Sequence, residues 1–131
     1  MSIVPTYAAL LALLFVALSV RTLRLRKNLR ILIGDAGDVR MLRAMRVHSN
    51  FAEYVPLALL LIAFVELSHA RPWLVHGLSI LLLVGRVVHA IGVSRTSEDL
   101  RFRVLGMVLT FAAILGAAGF LLWAALVRAV I

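Results

Sequence analysis

The stretch VLGMVLTFAAILGAAGFLLWAALV, at residues 104–127, runs for 24 residues without an ionisable side chain. About 20 consecutive apolar residues suffice for a helix to cross the hydrocarbon core of a bilayer, so this stretch predicts a transmembrane helix. Three further apolar windows precede it, at residues 3–20, 51–68 and 73–93. The whole chain is 63% hydrophobic, whereas soluble domains average about 45–50% apolar residues. We therefore expect an all-α integral membrane protein built as a four-transmembrane-helix bundle.

Four such helices with short links fill the 131 residues of the chain. We expect a single membrane domain over residues 1–131, with helices at about 3–24, 45–69, 73–94 and 101–128. The first window has no basic segment before it, and a basic segment instead of a cleavage site follows it, which favours a retained span over a signal peptide. The absence of cysteine excludes disulfides and thiolate metal sites.

Basic residues are distributed unevenly among the links between the windows. Eleven lie in the links after the first and third windows, and only Arg71 and Arg128 lie on the opposite side. Because Lys and Arg accumulate in cytoplasmic loops, we expect both termini on the non-cytoplasmic side. The net charge of +8 thus follows from membrane topology, and we expect no nucleic-acid partner. Membrane lipids are the expected partners of the basic run at residues 21–30.

Smaller features of the links and windows complete the pattern. The segment GDAGD at residues 34–38 favours a tight turn, and its two carboxylates are too few for a cation site. No metal-ligand spacing appears, so we expect no metal. Glu66 falls near the far interface, where we expect it to reach water. The small residues of the fourth window favour close helix contact, and their positions are Gly106, Ala112, Ala113, Gly116, Ala117 and Gly119.

Three ionisable residues lie inside the apolar windows, near their cytoplasmic ends: Glu53, Arg86 and His89. A charge inside a membrane is costly, so such residues usually face the bundle and have partners. On the second helix, Arg46 and Asn50 precede Glu53 at helical spacing and form one stripe with it. One alternative is a buried Glu53–Arg86 ion pair that fixes helix packing. The other is a pocket for an anionic, amine-bearing ligand, in which arginines bind the ligand's carboxylates and Glu53 binds its ammonium group.

The segment RVHSNFAEYVP at residues 46–56 resembles the signature of the MAPEG family, the membrane-associated proteins in eicosanoid and glutathione metabolism. That signature has an arginine, an asparagine four residues on, then Glu-Tyr and a nearby proline, at the start of the second of four helices. A second similarity is RVVHA at residues 86–90, followed by a loop and an arginine at the start of the fourth helix. The short chain and the GDAGD loop look like the bacterial branch, which implies a bacterial inner membrane.

The resemblance implies a homotrimer with glutathione as co-substrate, bound between neighbouring subunits near the cytoplasmic leaflet. The glutathione-contacting positions of the family carry over to Arg46, Asn50, Glu53, Tyr54, Arg86 and His89. Arg103 corresponds to the arginine that catalytic members place near the thiol, where a guanidinium stabilises a thiolate. Arg101 is the competing candidate, because the loop length leaves the alignment open by two residues. Arg30, at the foot of the first helix, is a further implied contact.

These positions imply a glutathione transferase or peroxidase. Its lipophilic small-molecule substrates would be electrophiles that partition into the bilayer. Val93 and Met107 stand where some members have tyrosines, and Ser49 stands where some have an extra arginine. The absence of both tyrosines favours the alternative of a non-catalytic scaffold or lipid-binding protein with the same fold. A small transporter fits less well, because the charges cluster at one leaflet whereas transport sites tend to lie near the midplane.

Overall fold

The computed structural model describes residues 2–94 and 100–130 of the chain. Within them it has four α-helices, α1 (Val4–Leu29), α2 (Val39–Leu67), α3 (Pro72–Ser94) and α4 (Leu100–Val130). Each helix is long and apolar enough to cross a membrane, as the four apolar windows predict. The expectation of an all-helical protein with four such helices is therefore confirmed. The polar link expected between α3 and α4 falls mainly at residues 95–99, outside the described residues.

Helices α2 and α3 form the middle of the bundle, and α1 and α4 flank them. Helix α1 packs on both α2 and α3, while α4 packs on α2 and, most extensively, on α3. Helices α1 and α3 end, and α2 and α4 begin, at the same end of the bundle. We call it the basic end; it holds residues 21–46, 86–94 and 100–107. The short link at residues 68–71 lies at the opposite end.

Both helices that border the first link are longer at the basic end than their apolar windows. Helix α1 continues through the basic run to Leu29, where the expected end was near residue 24, because Leu, Arg and Lys all favour helix. Arg30 then ends it in a left-handed conformation with φ 54°. Helix α2 begins at Val39 and not near residue 45, because the Asp38 carboxylate accepts hydrogen bonds from the backbone N–H groups of Arg40 and Met41 in its first turn.

The link between α1 and α2 is the tight turn that GDAGD predicts. Gly34 and Gly37 have φ values of 70° and 76°, a region that costs glycine little. The Asp35 side chain accepts a hydrogen bond of 3.1 Å from the backbone N–H of Gly37. One aspartate thus closes the turn, and the next one starts α2.

Helix α4 packs on α3 through part of its set of small residues. Gly106, Ala113 and Ala117 are buried, as close helix contact requires, whereas Ala112 and Gly119 face outward. The surface of the single chain is rich in apolar side chains; Leu115 and Leu122, for example, are 70% and 68% exposed. Such a surface suits contact with lipid tails or with another apolar chain. Helices can present it to lipid because their backbone N–H and C=O groups are hydrogen-bonded within the helix.

Glu66 does not simply reach water, as its place in the sequence led us to expect. Its carboxylate accepts hydrogen bonds from the backbone N–H groups of Ile3 and Val4, the latter at 3.1 Å, and from the Ser2 hydroxyl at 3.4 Å. The first N–H groups of any helix lack partners within that helix, and its N-terminal end attracts negative charge. Glu66 of α2 therefore caps α1 at the end opposite the basic end.

Candidate functional site

Arg86 of α3 is the centre of a polar cluster inside the basic end. Its side chain is 1% exposed, and its Nη2 donates a hydrogen bond of 3.0 Å to Oδ1 of Asn50 on α2. The same Nη2 lies 3.4 Å from Nδ1 of His89, one helical turn further along α3. The guanidinium carbon lies 5.6 Å from the centroid of the Phe51 ring. Arg86 therefore contacts both His89 on its own helix and Asn50 on α2.

The partners of Arg86 within the described residues are neutral. Glu53 is exposed and forms no ion pair there, so the alternative of a buried Glu53–Arg86 pair is wrong for the single chain. The ion pair that the described residues do form joins Arg40 to Asp38 at the surface, at 2.8 Å. Nη1 of Arg86 lies 4.0 Å from Sδ of Met107, and its Nε is buried without a hydrogen-bond partner. Because a buried cation is costly without an anionic partner, this guanidinium is suited to an anionic ligand.

A cavity of about 440 Å³ adjoins this cluster between α2, α3 and α4. Three of the expected site residues line it: Arg46, His89 and Arg103. The other lining residues are Val39, Leu42, Arg43 and Val93. Arg43 is not among the site residues expected from the sequence, although it lies three residues before Arg46 and so on the same side of α2. Its Nη1 lies 3.5 Å from the carbonyl oxygen of Val93, the last cavity-lining residue of α3.

Gly106 lets α4 approach this cluster closely. A Cβ built at position 106 would lie 2.6 Å from the Cβ of His89, which is closer than real side chains come. Arg103 lies three residues before Gly106, and therefore on the same side of α4. Because glycine has no Cβ, position 106 lets the first turns of α4, which include Arg103, lie close to the cavity that His89 lines.

The structure places the remaining expected residues away from the cavity wall. Arg101 is not among the lining residues, while Arg103 is. Glu53 is exposed, and the Tyr54 ring packs edge-on against Phe111 of α4, with centroids 5.5 Å apart. Arg30 borders a separate cavity at the C-terminal end of α1. Within one chain, the cavity lining and the hydrogen bonds of Arg86 therefore include Arg46, Asn50, Arg86, His89 and Arg103, whereas the described hydrogen bonds of Arg86 and the cavity lining do not include the other four.

The cluster and the cavity together make a cationic site. Guanidinium groups bind carboxylates with two parallel hydrogen bonds and remain charged at every physiological pH. The imidazole of His89 adds a second polar contact beside Arg86. No group of three or more His, Asp or Glu side chains in the described residues could hold a metal ion. The arrangement favours a small ligand with several negative charges.

Comparison with known proteins gives one family and one kind of relative. The sequence model of the MAPEG family matches residues 4–123. The "inner membrane protein YecN" of Escherichia coli K12 is 39% identical over 109 residues, which cover 83% of this chain and 82% of YecN. YecN of Escherichia coli O6:H1 gives the same values. No solved structure matches the chain significantly.

Proposed function

The chain belongs to the MAPEG family, and from that premise we propose that it binds glutathione at the basic end as the thiol co-substrate of a transferase or peroxidase. One observation carries the proposal. The buried guanidinium of Arg86, hydrogen-bonded to Asn50, adjoins a cavity lined by Arg46, His89 and Arg103. These are five of the residues to which the family's glutathione contacts carry over.

The chemistry of glutathione matches the charges of this site. Glutathione carries two carboxylates and one ammonium group besides its thiol. Arg46 and Arg86 supply guanidinium groups for the carboxylates, where paired hydrogen bonds give both affinity and orientation. Glu53, on the same stripe of α2 as Arg46 and Asn50, supplies the negative charge for the ammonium group. Its exposure in the single chain leaves its carboxylate open to a ligand.

Arg103 is the residue that we assign to the thiol. A guanidinium near a thiol favours the thiolate, which is the nucleophile, and the nearby N-terminal end of α4 acts in the same direction. The thiolate sulfur then bonds to an electrophilic carbon of a lipophilic substrate, and the leaving group departs with its electron pair. The cavity wall includes Arg103 but not Arg101, which supports Arg103 for this role.

The site is completed by neighbouring copies in a homotrimer. Glu53 is exposed on the single chain although it lies inside the apolar window of a helix long and apolar enough to span a membrane. Charged side chains in contact with lipid are costly, so a neighbouring copy that covers them lowers the free energy of the assembly. Arg30 lies apart from the cavity of its own chain, as suits a residue contributed to the site of a neighbour.

The protein lies in a bacterial inner membrane, with its basic end toward the cytoplasm and its termini on the other side. The relative named above is an inner membrane protein. Of the described basic residues in the links, ten lie at the basic end, and Lys and Arg favour the cytoplasmic side. The lipophilic substrate then reaches the site from the bilayer, along the apolar faces of the helices.

Two measurements on the detergent-purified protein test the proposal. Calorimetry should detect glutathione binding by the wild type and a clear loss of affinity in Glu53→Gln; absence of binding by the wild type would overturn the proposal. Conjugation of glutathione to a generic aryl halide should then be compared in the wild type, Arg103→Ala and Arg101→Ala. We expect kcat/KM to fall about 100-fold in Arg103→Ala, as for the loss of one group that stabilises developing charge. A conjugation rate in Arg103→Ala equal to that of the wild type would remove Arg103 from the mechanism.

A second candidate is a non-catalytic membrane scaffold or lipid-binding protein with the same fold. Val93 lines the cavity, and Met107 contacts Arg86, at the two positions where some members of the family have tyrosines. Neither side chain can donate a strong hydrogen bond to a thiol or to a leaving group. Glutathione binding without turnover of any electrophile would favour this candidate.

A further inference from the structure

A second and larger cavity opens at the basic end, on the side of the bundle where α1 packs. Its volume is about 680 Å³, and its polar lining consists of Arg21, Arg24, Asn28, Arg40, Arg43 and Ser94. It shares only Arg43 with the candidate glutathione cavity, which lies between α2, α3 and α4. The function proposed above therefore leaves this cavity unexplained.

The lining of this α1 cavity is strongly cationic. Arg21, Arg24 and Asn28 have i, i+3, i+7 spacing and so share one face of α1. Arg40 and Arg43 face them from the first turns of α2. No Asp or Glu is among the described residues that line the cavity. Four guanidinium groups around one cavity favour an anion with several oxygen atoms, such as a phosphate.

Some of these cations are held in place, and one is open to a ligand. The guanidinium of Arg21 donates a hydrogen bond to the hydroxyl of Ser94, which ties α1 to the end of α3. Arg40 is hydrogen-bonded to Asp38 at 2.8 Å. Arg24 is exposed and makes no hydrogen bond or ion pair with any other described residue. Arg24 is therefore the arginine whose charge a ligand can use with the least disturbance of the fold.

The cavity also has an apolar wall on the side of the membrane span. Ala17 and Val20 belong to the apolar part of α1, and the basic run starts directly after them, at Arg21. Moving along α1, the wall changes from apolar to cationic within about one helical turn of 5.4 Å. A soluble anion would use only the cationic part. A molecule with an anionic head and hydrocarbon tails would use both parts.

We propose that the α1 cavity binds the phosphate headgroup of an anionic phospholipid, with the acyl chains lying along Ala17 and Val20. Arg24 contacts the phosphate, while Arg21 positions α1 through its bond to Ser94. The position of the cavity along α1 agrees with a headgroup site, because the end of a membrane-spanning apolar segment lies at the level of the lipid headgroups. A basic cluster there attracts anionic lipid.

Native mass spectrometry of the purified oligomer tests this site. The protein in neutral detergent is titrated with phosphatidylglycerol or with phosphatidylcholine of the same acyl chains. We expect preferential retention of phosphatidylglycerol, and about a fivefold loss of its affinity in Arg24→Gln, the equivalent of about 1 kcal/mol for one basic residue near the surface. Arg24→Lys keeps the charge and should retain most of the binding.

The matched control is Lys27→Gln, which removes the same charge three residues further along α1 but does not line this cavity. An equal loss of affinity in Arg24→Gln and Lys27→Gln would mean diffuse attraction to a basic surface and would overturn the proposal. Equal retention of both lipids by the wild type would also overturn it. Displacement of phosphatidylglycerol by an excess of inorganic phosphate would identify a site for soluble anions instead.

Discussion

Gly106 on α4 lies directly against His89 on α3. A Cβ at position 106 would be 2.6 Å from both the Cβ and the backbone nitrogen of His89, and 2.7 Å from the carbonyl oxygen of Gly85. Two of these three neighbours are backbone atoms, which cannot rotate away as the end of a side chain can. The absence of a side chain at position 106 therefore sets the separation of α3 and α4 beside the candidate glutathione cavity.

The substitution Gly106→Ala should push α4 away from α3. We expect the free energy of unfolding to fall by about 1–3 kcal/mol, as in other overpacked interiors, and glutathione affinity to fall with it. Unfolding in mixed micelles, followed by circular dichroism, measures the first effect. Gly119→Ala is the control, because a Cβ there meets nothing within 4 Å. Equal stability of the two variants would contradict the role given to Gly106.

Asn50 should matter for stability even without glutathione, because it is the nearest hydrogen-bond acceptor of the buried Arg86. We expect Asn50→Ala to lower the free energy of unfolding by about 1.5–3 kcal/mol, the value of a hydrogen bond to a charged group. Asn50→Asp keeps a hydrogen-bond acceptor at this position, so its free energy of unfolding should fall less than that of Asn50→Ala. Ser49→Ala, at the adjacent exposed position, is the matched control. A loss in Asn50→Ala no larger than in this control would show that Arg86 does not depend on Asn50.

The number and type of helices could be predicted from the sequence, but two of their ends could not. Hydropathy marks the apolar part of a helix, whereas α1 continues to Leu29 because Arg and Lys favour helix and their side chains reach water. Helix α2 starts before its apolar window because Asp38 caps it. Aspartate directly before a helix is a recognisable N-cap signal, but it lies outside the apolar window that marks the second helix.

The candidate site was predictable where residues share one helix face, and less so across helices. Helical spacing grouped Arg46 with Asn50, and Arg86 with His89. It could not decide whether Arg86 meets Glu53 or Asn50, because that depends on the rotation of α2 about its own axis. The position of Gly106 against His89 and the cap that Glu66 gives to α1 are also contacts between helices, which no periodicity within one helix reveals.

Glu66 should hold the first turn of α1 closed. Removal of its carboxylate in Glu66→Ala leaves the backbone N–H groups of Ile3 and Val4 without this acceptor, a loss that costs about 0.5–2 kcal/mol at other helix N-termini. We expect faster hydrogen exchange in the first turn of α1, measured by mass spectrometry of its N-terminal peptide. Ser2→Ala removes only the 3.4 Å contact and should leave this exchange nearly unchanged. Unaltered exchange in Glu66→Ala would contradict the cap.

Asp38 should make the start of α2 sensitive to acid. The hydrogen bond from the Arg40 side chain, followed by the one from the Met41 backbone N–H, lowers the pKa of Asp38 from 3.8 to about 2. Because the pKa is lower in the folded protein than in the unfolded chain, the stabilisation is fully present above about pH 4. It is lost as the pH falls through about 2, where the carboxylate of the folded protein becomes protonated.

The matched variant for this effect is Asp38→Asn, because asparagine also caps helices well but carries no titratable group. We expect the Tm of the wild type to fall relative to that of Asp38→Asn between about pH 4 and pH 2, and the difference to be constant above that range. Thermal unfolding of both proteins in the same detergent, followed by circular dichroism, measures it. Parallel Tm curves down to pH 2 would mean that the Asp38 charge does not stabilise the start of α2.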